Sequence, residues 1–244
     1  MVAHLLRDPV EMMASTTLPF AAARQFMVDS QLRPNKVGNP ALLEAMRQVP
    51  REAFLPPALG TLAYADQDVR LGTGAAGPGA AGPGRVLMAP LAFARLAQLL
   101  DAAPGERVLI VGAGSGYGAA VLASCGARVT ALDEDETLLD LGRTALRSLG
   151  LAVTLQQGLH RDGLPGLQPW DAILIQGAIE VVPPGFMTQL RPGSGRLVTV
   201  IGRPDRPGVA ALGERQGAAL ALAMMFDCST AMLPGFEAVP EFQF

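Results

Sequence analysis

Val108-Leu-Ile-Val-Gly-Ala-Gly-Ser-Gly-Tyr-Gly118 is the stretch that decides the fold. An apolar run ends in Gly112, Gly114 and Gly116, and a helical pattern follows over residues 117–125. A strand buried on both faces reads as such an unbroken run. Glycines at its carboxyl end let the backbone turn tightly and approach a ligand where a Cβ would collide. Downstream, strand and helix alternate. Residues 127–132 read as strand, 135–149 as helix stopped by Gly150, 153–157 and 172–175 as strands, 183–190 as a short helix and 196–201 as strand. Residues 209–212 and 220–226 flank Gly213-Glu-Arg-Gln-Gly217 as a closing hairpin. The pattern predicts an α/β fold, a doubly wound, mostly parallel seven-stranded sheet with a C-terminal antiparallel hairpin.

Working back from the strand, Pro90 opens a helix with Leu91, Ala94, Leu99 and Leu100 at helical spacing. Before it stands a direct repeat, Ala75-Ala-Gly-Pro-Gly79 and Ala80-Ala-Gly-Pro-Gly84, whose glycine and proline density predicts a mobile surface loop over 72–84. Asn39 and Pro40 are an N-cap and first-turn proline for a helix with Leu42, Leu43, Met46 and Val49 on one face, ended by Pro50. Residues 1–20 show no steady period and are read as a flexible N-terminal extension. The expected organisation is therefore one domain over 21–244, with an N-terminal helical part over 21–104 and a nucleoside-binding sheet over 105–244.

The chain has 244 residues, half of them apolar, with 19 basic against 22 acidic side chains. A net charge of −3 gives no general attraction to nucleic acid or anionic lipid. The longest apolar run, residues 218–226, is about half of what spans a bilayer. The start, broken by Arg7, Asp8 and Glu11, lacks a signal-peptide core. A soluble, cytoplasmic protein is expected. Lys36 is the only lysine and follows Asn35, so there is no G-K-[ST] phosphate loop. His4, His160, Cys125 and Cys228 stand far apart and give neither zinc spacing nor C-x-x-C, and no metal is expected.

A ligand of such a sheet sits beyond the carboxyl ends of the strands, where the strand order reverses. Asp133 and Glu134, 21 and 22 residues after Gly112, close the second strand, where a carboxylate accepts ribose hydroxyls. The sixth position of the dinucleotide fingerprint holds Tyr117 instead of glycine. G-x-G-x-G is commoner where no pyrophosphate rests on the helix, as with S-adenosylmethionine, and the terminal hairpin points the same way. A serine-hydrolase elbow at Ser115 would need glycine where Ala113 stands.

Arg24-Gln-Phe-Met-Val28, Val49-Pro-Arg-Glu-Ala-Phe-Leu-Pro56, Ala63-Tyr-Ala-Asp66, the glycine run, Gln168-Pro-Trp-Asp171, and Gln189-Leu190 with Gly195-Arg-Leu197 together resemble the protein-L-isoaspartate O-methyltransferase family. The resemblance covers residues 21–202 in order and spacing. It implies a class I methyltransferase fold, S-adenosyl-L-methionine as cofactor, and methyl esterification of isoaspartyl residues in damaged proteins. By that resemblance Gly112, Ala113, Gly114, Ser115, Gly116, Asp133, Glu134, Leu159 and Gln176 are the cofactor-binding positions. Met88 stands where the family has the serine that helps hold the acceptor carboxylate. Ile110, Leu159, His160 and Gln176 also depart from the family pattern, and the Ala/Gly/Pro repeat lengthens the loop ahead of Met88. The tail, with Leu233-Pro-Gly-Phe236 and Phe242-Gln-Phe244, is unlike the main branch.

Methyl transfer to a carboxylate needs alignment and exclusion of water rather than a general base, because the carboxylate is already ionised at neutral pH. Met88 has no donor for that carboxylate, and Leu159 cannot accept from an adenine amino group, though it can pack on the ring. Three readings stay open: the repair methyltransferase, a divergent member with another acceptor, and a non-catalytic nucleoside-binding scaffold. A nicotinamide dehydrogenase stands further back. His160 is read as a partly solvated loop residue in preference to one facing the site in place of the family glycine, Tyr117 equally as a cover for the cofactor or as packing, Trp170 as filler beside Asp171, and Asp66 as fixing its own loop.

Overall fold

The computed structural model describes residues 19–71, 85–203, 206–217 and 219–236. The expectations for the N-terminal extension up to residue 18, for the repeat in 72–84 and for Phe242-Gln-Phe244 lie outside them. The chain begins with helix α1 (Phe20–Phe26), a π-helical turn (Met27–Leu32) and helix α2 (Pro40–Gln48). Asn39 caps α2 as its sequence requires, its side chain accepting the Leu42 N–H at 3.1 Å. After two 3-10 turns (Arg51–Phe54, Pro57–Leu62), short strands β1 (Val69–Arg70) and β2 (Val86–Leu87) pair antiparallel and lead to helix α3 (Pro90–Leu100).

Then comes the alternation: β3 (Arg107–Val111), α4 (Tyr117–Ser124), β4 (Arg128–Asp133), α5 (Glu136–Leu149), β5 (Thr154–Gln157), β6 (Ala172–Ile179), α6 (Pro184–Gln189), β7 (Arg196–Arg203), β8 (Arg206–Gln216) and β9 (Ala219–Asp227). Asp135 caps α5 through the Thr137 and Leu138 N–H groups, and Gly150 ends it in the left-handed region at φ 65°. The seven strands lie in the order β5-β4-β3-β6-β7-β8-β9, parallel as far as β7 and antiparallel for β8 and β9. Chain order reverses between β3 and β6, so the switch point falls where the glycine run ends.

Strand alternation divides the core. Val108 and Ile110 of β3 pack into a large cluster with residues of α2, α3, α4 and α5, whereas Leu109 and Val111 face a smaller one built on Trp170, Phe186, Leu190, Leu233 and Phe236. Two strands differ from their sequence expectation. β6 runs to Ile179, paired with β7 as far as Ile201 and bridged on its other edge by the tail: Ala178 N–H donates to Ala231 O at 2.9 Å and Leu233 N–H to Ala178 O at 2.8 Å. The charged stretch expected as a hairpin loop belongs to β8, with Gly213, Glu214, Arg215 and Gln216 opposite Leu222, Ala221, Leu220 and Ala219. The Arg215 guanidinium reaches the carbonyl of Leu190 at the end of α6, which holds a polar side chain on a strand.

Candidate active site

The glycine loop joins β3 to α4 at the switch point. Gly112 adopts φ 72°, and a Cβ there would stand 2.7 Å from the Leu233 side chain and 3.3 Å from the Gln176 carbonyl, so only glycine fits. The loop turns its donors inward. Gly112 and Ala113 N–H both donate to Leu132 O, at 2.9 and 3.1 Å, and Gly116 N–H donates to Ala113 O at 2.9 Å. Gly114 N–H donates to Asp133 Oδ2 at 2.6 Å. The Ser115 hydroxyl donates to Phe54 O at 2.6 Å, which ties the loop to the first 3-10 turn instead of presenting it to a ligand.

Asp133 closes β4 and is fully buried. Its Oδ2 also accepts from the Arg85 guanidinium, and its Oδ1 accepts the Asp135 N–H at 3.1 Å. Burial alone would raise this carboxyl. Contact with His160 and the Arg85 charge overcome that and hold it below the ordinary aspartate value. Glu134 is more open. Its Oε1 accepts the His160 N–H at 2.8 Å, and its own N–H donates to His160 Nε2 at 3.2 Å. Nδ1 of His160 lies 3.3 Å from Glu134 Oε1 and is buried without a hydrogen-bond partner.

His160 is thus not the partly solvated loop residue its neighbours suggested. It is wholly buried, locking Glu134 to the segment after β5. Sequence reasoning missed it because Arg161 and Asp162 make the local stretch look polar; its partners lie 26 residues earlier. Leu159, beside it, is 58% exposed, an apolar side chain left facing outward next to the carboxylates. Asp66 does not fix its own loop: it accepts the Leu91 N–H at 3.2 Å, at the start of α3. Asp68 works in parallel, accepting from Ala89 N at 2.7 Å, Thr230 Oγ1 at 2.8 Å and Ala231 N at 3.0 Å.

The other half of the site is closed in. Met88 is 1% exposed, its side chain in the large core cluster and its carbonyl held by the Arg51 guanidinium. Arg51 is itself fully buried, donates to Ala63 O at 2.6 Å and lies 4.9 Å from the centre of the Tyr117 ring. Tyr117 packs edge-on against Phe54 and Phe93, and burial pushes its phenol up to about 12 despite Arg51. Gln176, 7% exposed, directs its amide toward Gly118 and Phe93, and its Oε1 is buried without a partner. Ile110 is core. Trp170 is buried in the smaller cluster with Arg107 over its ring, beside Asp171 as expected.

Comparison with known proteins decides the family. The family model for protein-L-isoaspartate(D-aspartate) O-methyltransferase matches residues 23–228. The chain belongs to this family. A protein-L-isoaspartate O-methyltransferase of Methylorubrum populi is 43% identical over 183 residues, covering 75% of this chain and 81% of the relative. One from Aeropyrum pernix is 38% identical over 192 residues, covering 77% and 70%. Among solved structures, a protein-L-isoaspartate O-methyltransferase superposes with a TM-score of 0.72 at 21% identity, over 89% of this chain and 66% of that chain, just under two thirds of its length. A Plasmodium falciparum protein described as a family member, solved with S-adenosyl-L-homocysteine, gives 0.67 at 18%, over 86% and 97%. These two likenesses bear on the fold, which is that of class I methyltransferases.

Proposed function

We propose that this chain is an S-adenosylmethionine-dependent protein-L-isoaspartate O-methyltransferase, acting on isoaspartyl residues of damaged proteins. The observation that carries the cofactor half is the inward turn of the loop's N–H groups. Those of Gly112, Ala113, Gly114 and Gly116 all serve protein acceptors, so they are not offered to a pyrophosphate, which favours an adenosyl group over a dinucleotide. The residues present fit that group. The Gly112–Gly116 backbone gives close approach, Asp133 and Glu134 offer carboxylates to the ribose hydroxyls, and the exposed Leu159 offers an apolar surface to the adenine ring. Bound there, S-adenosylmethionine supplies an electrophilic methyl group. The chain's own task is to align an ionised carboxylate and exclude water.

Ala113, Ser115 and Gln176 support this site from behind: Ala113 and Ser115 shape the loop, and Gln176 flanks the start of α4. Family membership carries the acceptor. The burial of Met88, with no donor, favours a second reading in which the acceptor is a different carboxylate. A cytoplasmic setting is supported by the two free cysteines, Cys125 and Cys228, and by the absence among the described residues of any helix long and apolar enough to cross a membrane. The test is transfer of a labelled methyl group from S-adenosylmethionine to an isoaspartyl peptide and to its aspartyl isomer. Base-labile label on the first alone supports the repair reading. Label on neither, with cofactor still bound, contradicts it.

A further inference from the structure

Asp133 is shared with a residue outside the family pattern quoted above. Arg85 stands directly before β2, and its carbonyl accepts the Leu71 N–H at 2.8 Å, so the β1–β2 pairing fixes the backbone from which the guanidinium reaches out. Its Nη2 donates to Asp133 Oδ2, the oxygen that also accepts from Gly114 N–H. The Arg85 side chain is 12% exposed and the Asp133 side chain not at all, so the pair is covered at the point a ribose must reach. Apart from His160, Arg85 is the one basic side chain that the described residues bring to Asp133.

We propose that Arg85 and the cofactor's ribose contend for the Asp133 carboxylate, which makes Arg85 the residue that sets how tightly this chain holds its cofactor. The inference rests on the methyltransferase reading, since that reading brings a ribose to Asp133. A carboxylate oxygen has two lone pairs, and Oδ2 already serves two donors. A hydroxyl arriving there displaces the guanidinium, while the Gly114 and Asp135 N–H groups stay in place. Binding is then the difference between the bonds the diol makes and the charge-assisted bond that Arg85 gives up. The pair is suited to exchange: Arg85 Nε is buried without a partner, so the guanidinium grips through one nitrogen and not as a two-pronged fork.

The experiment is calorimetry of wild type and Arg85→Ala with S-adenosylhomocysteine, adenosine and 2′,3′-dideoxyadenosine. The variant is expected to bind S-adenosylhomocysteine and adenosine roughly five- to twentyfold more tightly, the gain of not having to break one ion pair. The dideoxy compound, which has no diol to contend with Arg85, is expected to bind both proteins alike. Weaker or unchanged S-adenosylhomocysteine binding in the variant overturns the role of Arg85 alone. So does an equal gain for adenosine and its dideoxy analogue. Failure of both proteins to bind S-adenosylhomocysteine removes the methyltransferase reading and this inference with it. Arg85→Gln, neutral and still able to reach, should show a smaller gain of the same sign and replaces the alanine variant if that does not fold.

Discussion

Around Asp133 charged and polar groups bond one another; around Met88 a thioether and aromatic rings pack into the core. At the end of β4 the Asp133 carboxylate collects the Arg85 guanidinium and two backbone N–H groups and His160 bonds Glu134, with Arg85 Nε and His160 Nδ1 left over and an exposed leucine beside them. Across the glycine loop, Arg51 Nη1, the Tyr117 hydroxyl and Gln176 Oε1 are also buried without partners, and Met88 is a core methionine. The contrast teaches where charge and where packing shape the candidate site. On the proposed function, the nucleoside half keeps its carboxylates, although Leu159 departs from the resemblance, while the acceptor half offers packing where the resemblance implies a hydroxyl.

The heaviest blow to the nucleoside half is Gly112→Val. A side chain at φ 72°, against Leu233 and the Gln176 carbonyl, should abolish S-adenosylhomocysteine binding and cost about 3 kcal/mol in urea unfolding. Next is Asp133→Ala, which removes the proposed ribose acceptor and leaves Arg85 unpaired in a covered position. Thermal stabilisation by S-adenosylhomocysteine should vanish, with ~3 kcal/mol lost from the fold. The same carboxyl gives a pH signature. Its folded value lies below the unfolded value of about 3.9, so its contribution is complete above that pH and is lost as pH falls through the folded value. Wild type should therefore lose more stability on acidification than Asp133→Asn, measured by urea midpoints across that range.

Met88→Ser probes the acceptor half, and its two effects oppose each other. Truncating a buried methionine should cost about 2–4 kcal/mol of stability. A regained hydroxyl should raise turnover on an isoaspartyl peptide by at most about a hundredfold, read as methanol release. A fully active wild type, unimproved by serine, would erase the contrast between the halves. The smallest effect belongs to Leu159→Asp. At an exposed site it should leave stability within ~0.5 kcal/mol and tighten S-adenosylhomocysteine about tenfold, by an added bond to the adenine amino group.

The sequence made some of this legible and hid the rest for identifiable reasons. The buried strand, its glycines and the helix ends at Asn39 and Gly150 are local signals, and the structure puts them where their spacing requires. Asp133 was found by its distance along the chain from Gly112. His160 and Arg85 were not, because each meets Asp133 only through tertiary folding, across 27 and 48 residues. The tail was opaque for the same reason. Leu233 packs against Gly112 and Gly177, although nothing within Leu233-Pro-Gly-Phe236 announces a strand partner. Charge misled at Gly213-Glu-Arg-Gln-Gly217, where partly open strand positions accept polar residues that otherwise signal a turn.

The claim on which the account turns is that the Gly112–Gly116 loop and Asp133 hold an adenosyl sulfur ligand and not a dinucleotide. Calorimetric titration of the wild-type protein with S-adenosylhomocysteine and, separately, with NAD tests it directly. The account predicts one saturable site for S-adenosylhomocysteine, lost in Asp133→Ala, and no heat of binding from NAD at the same concentrations. Binding of NAD, or silence with S-adenosylhomocysteine at millimolar concentration, would contradict it.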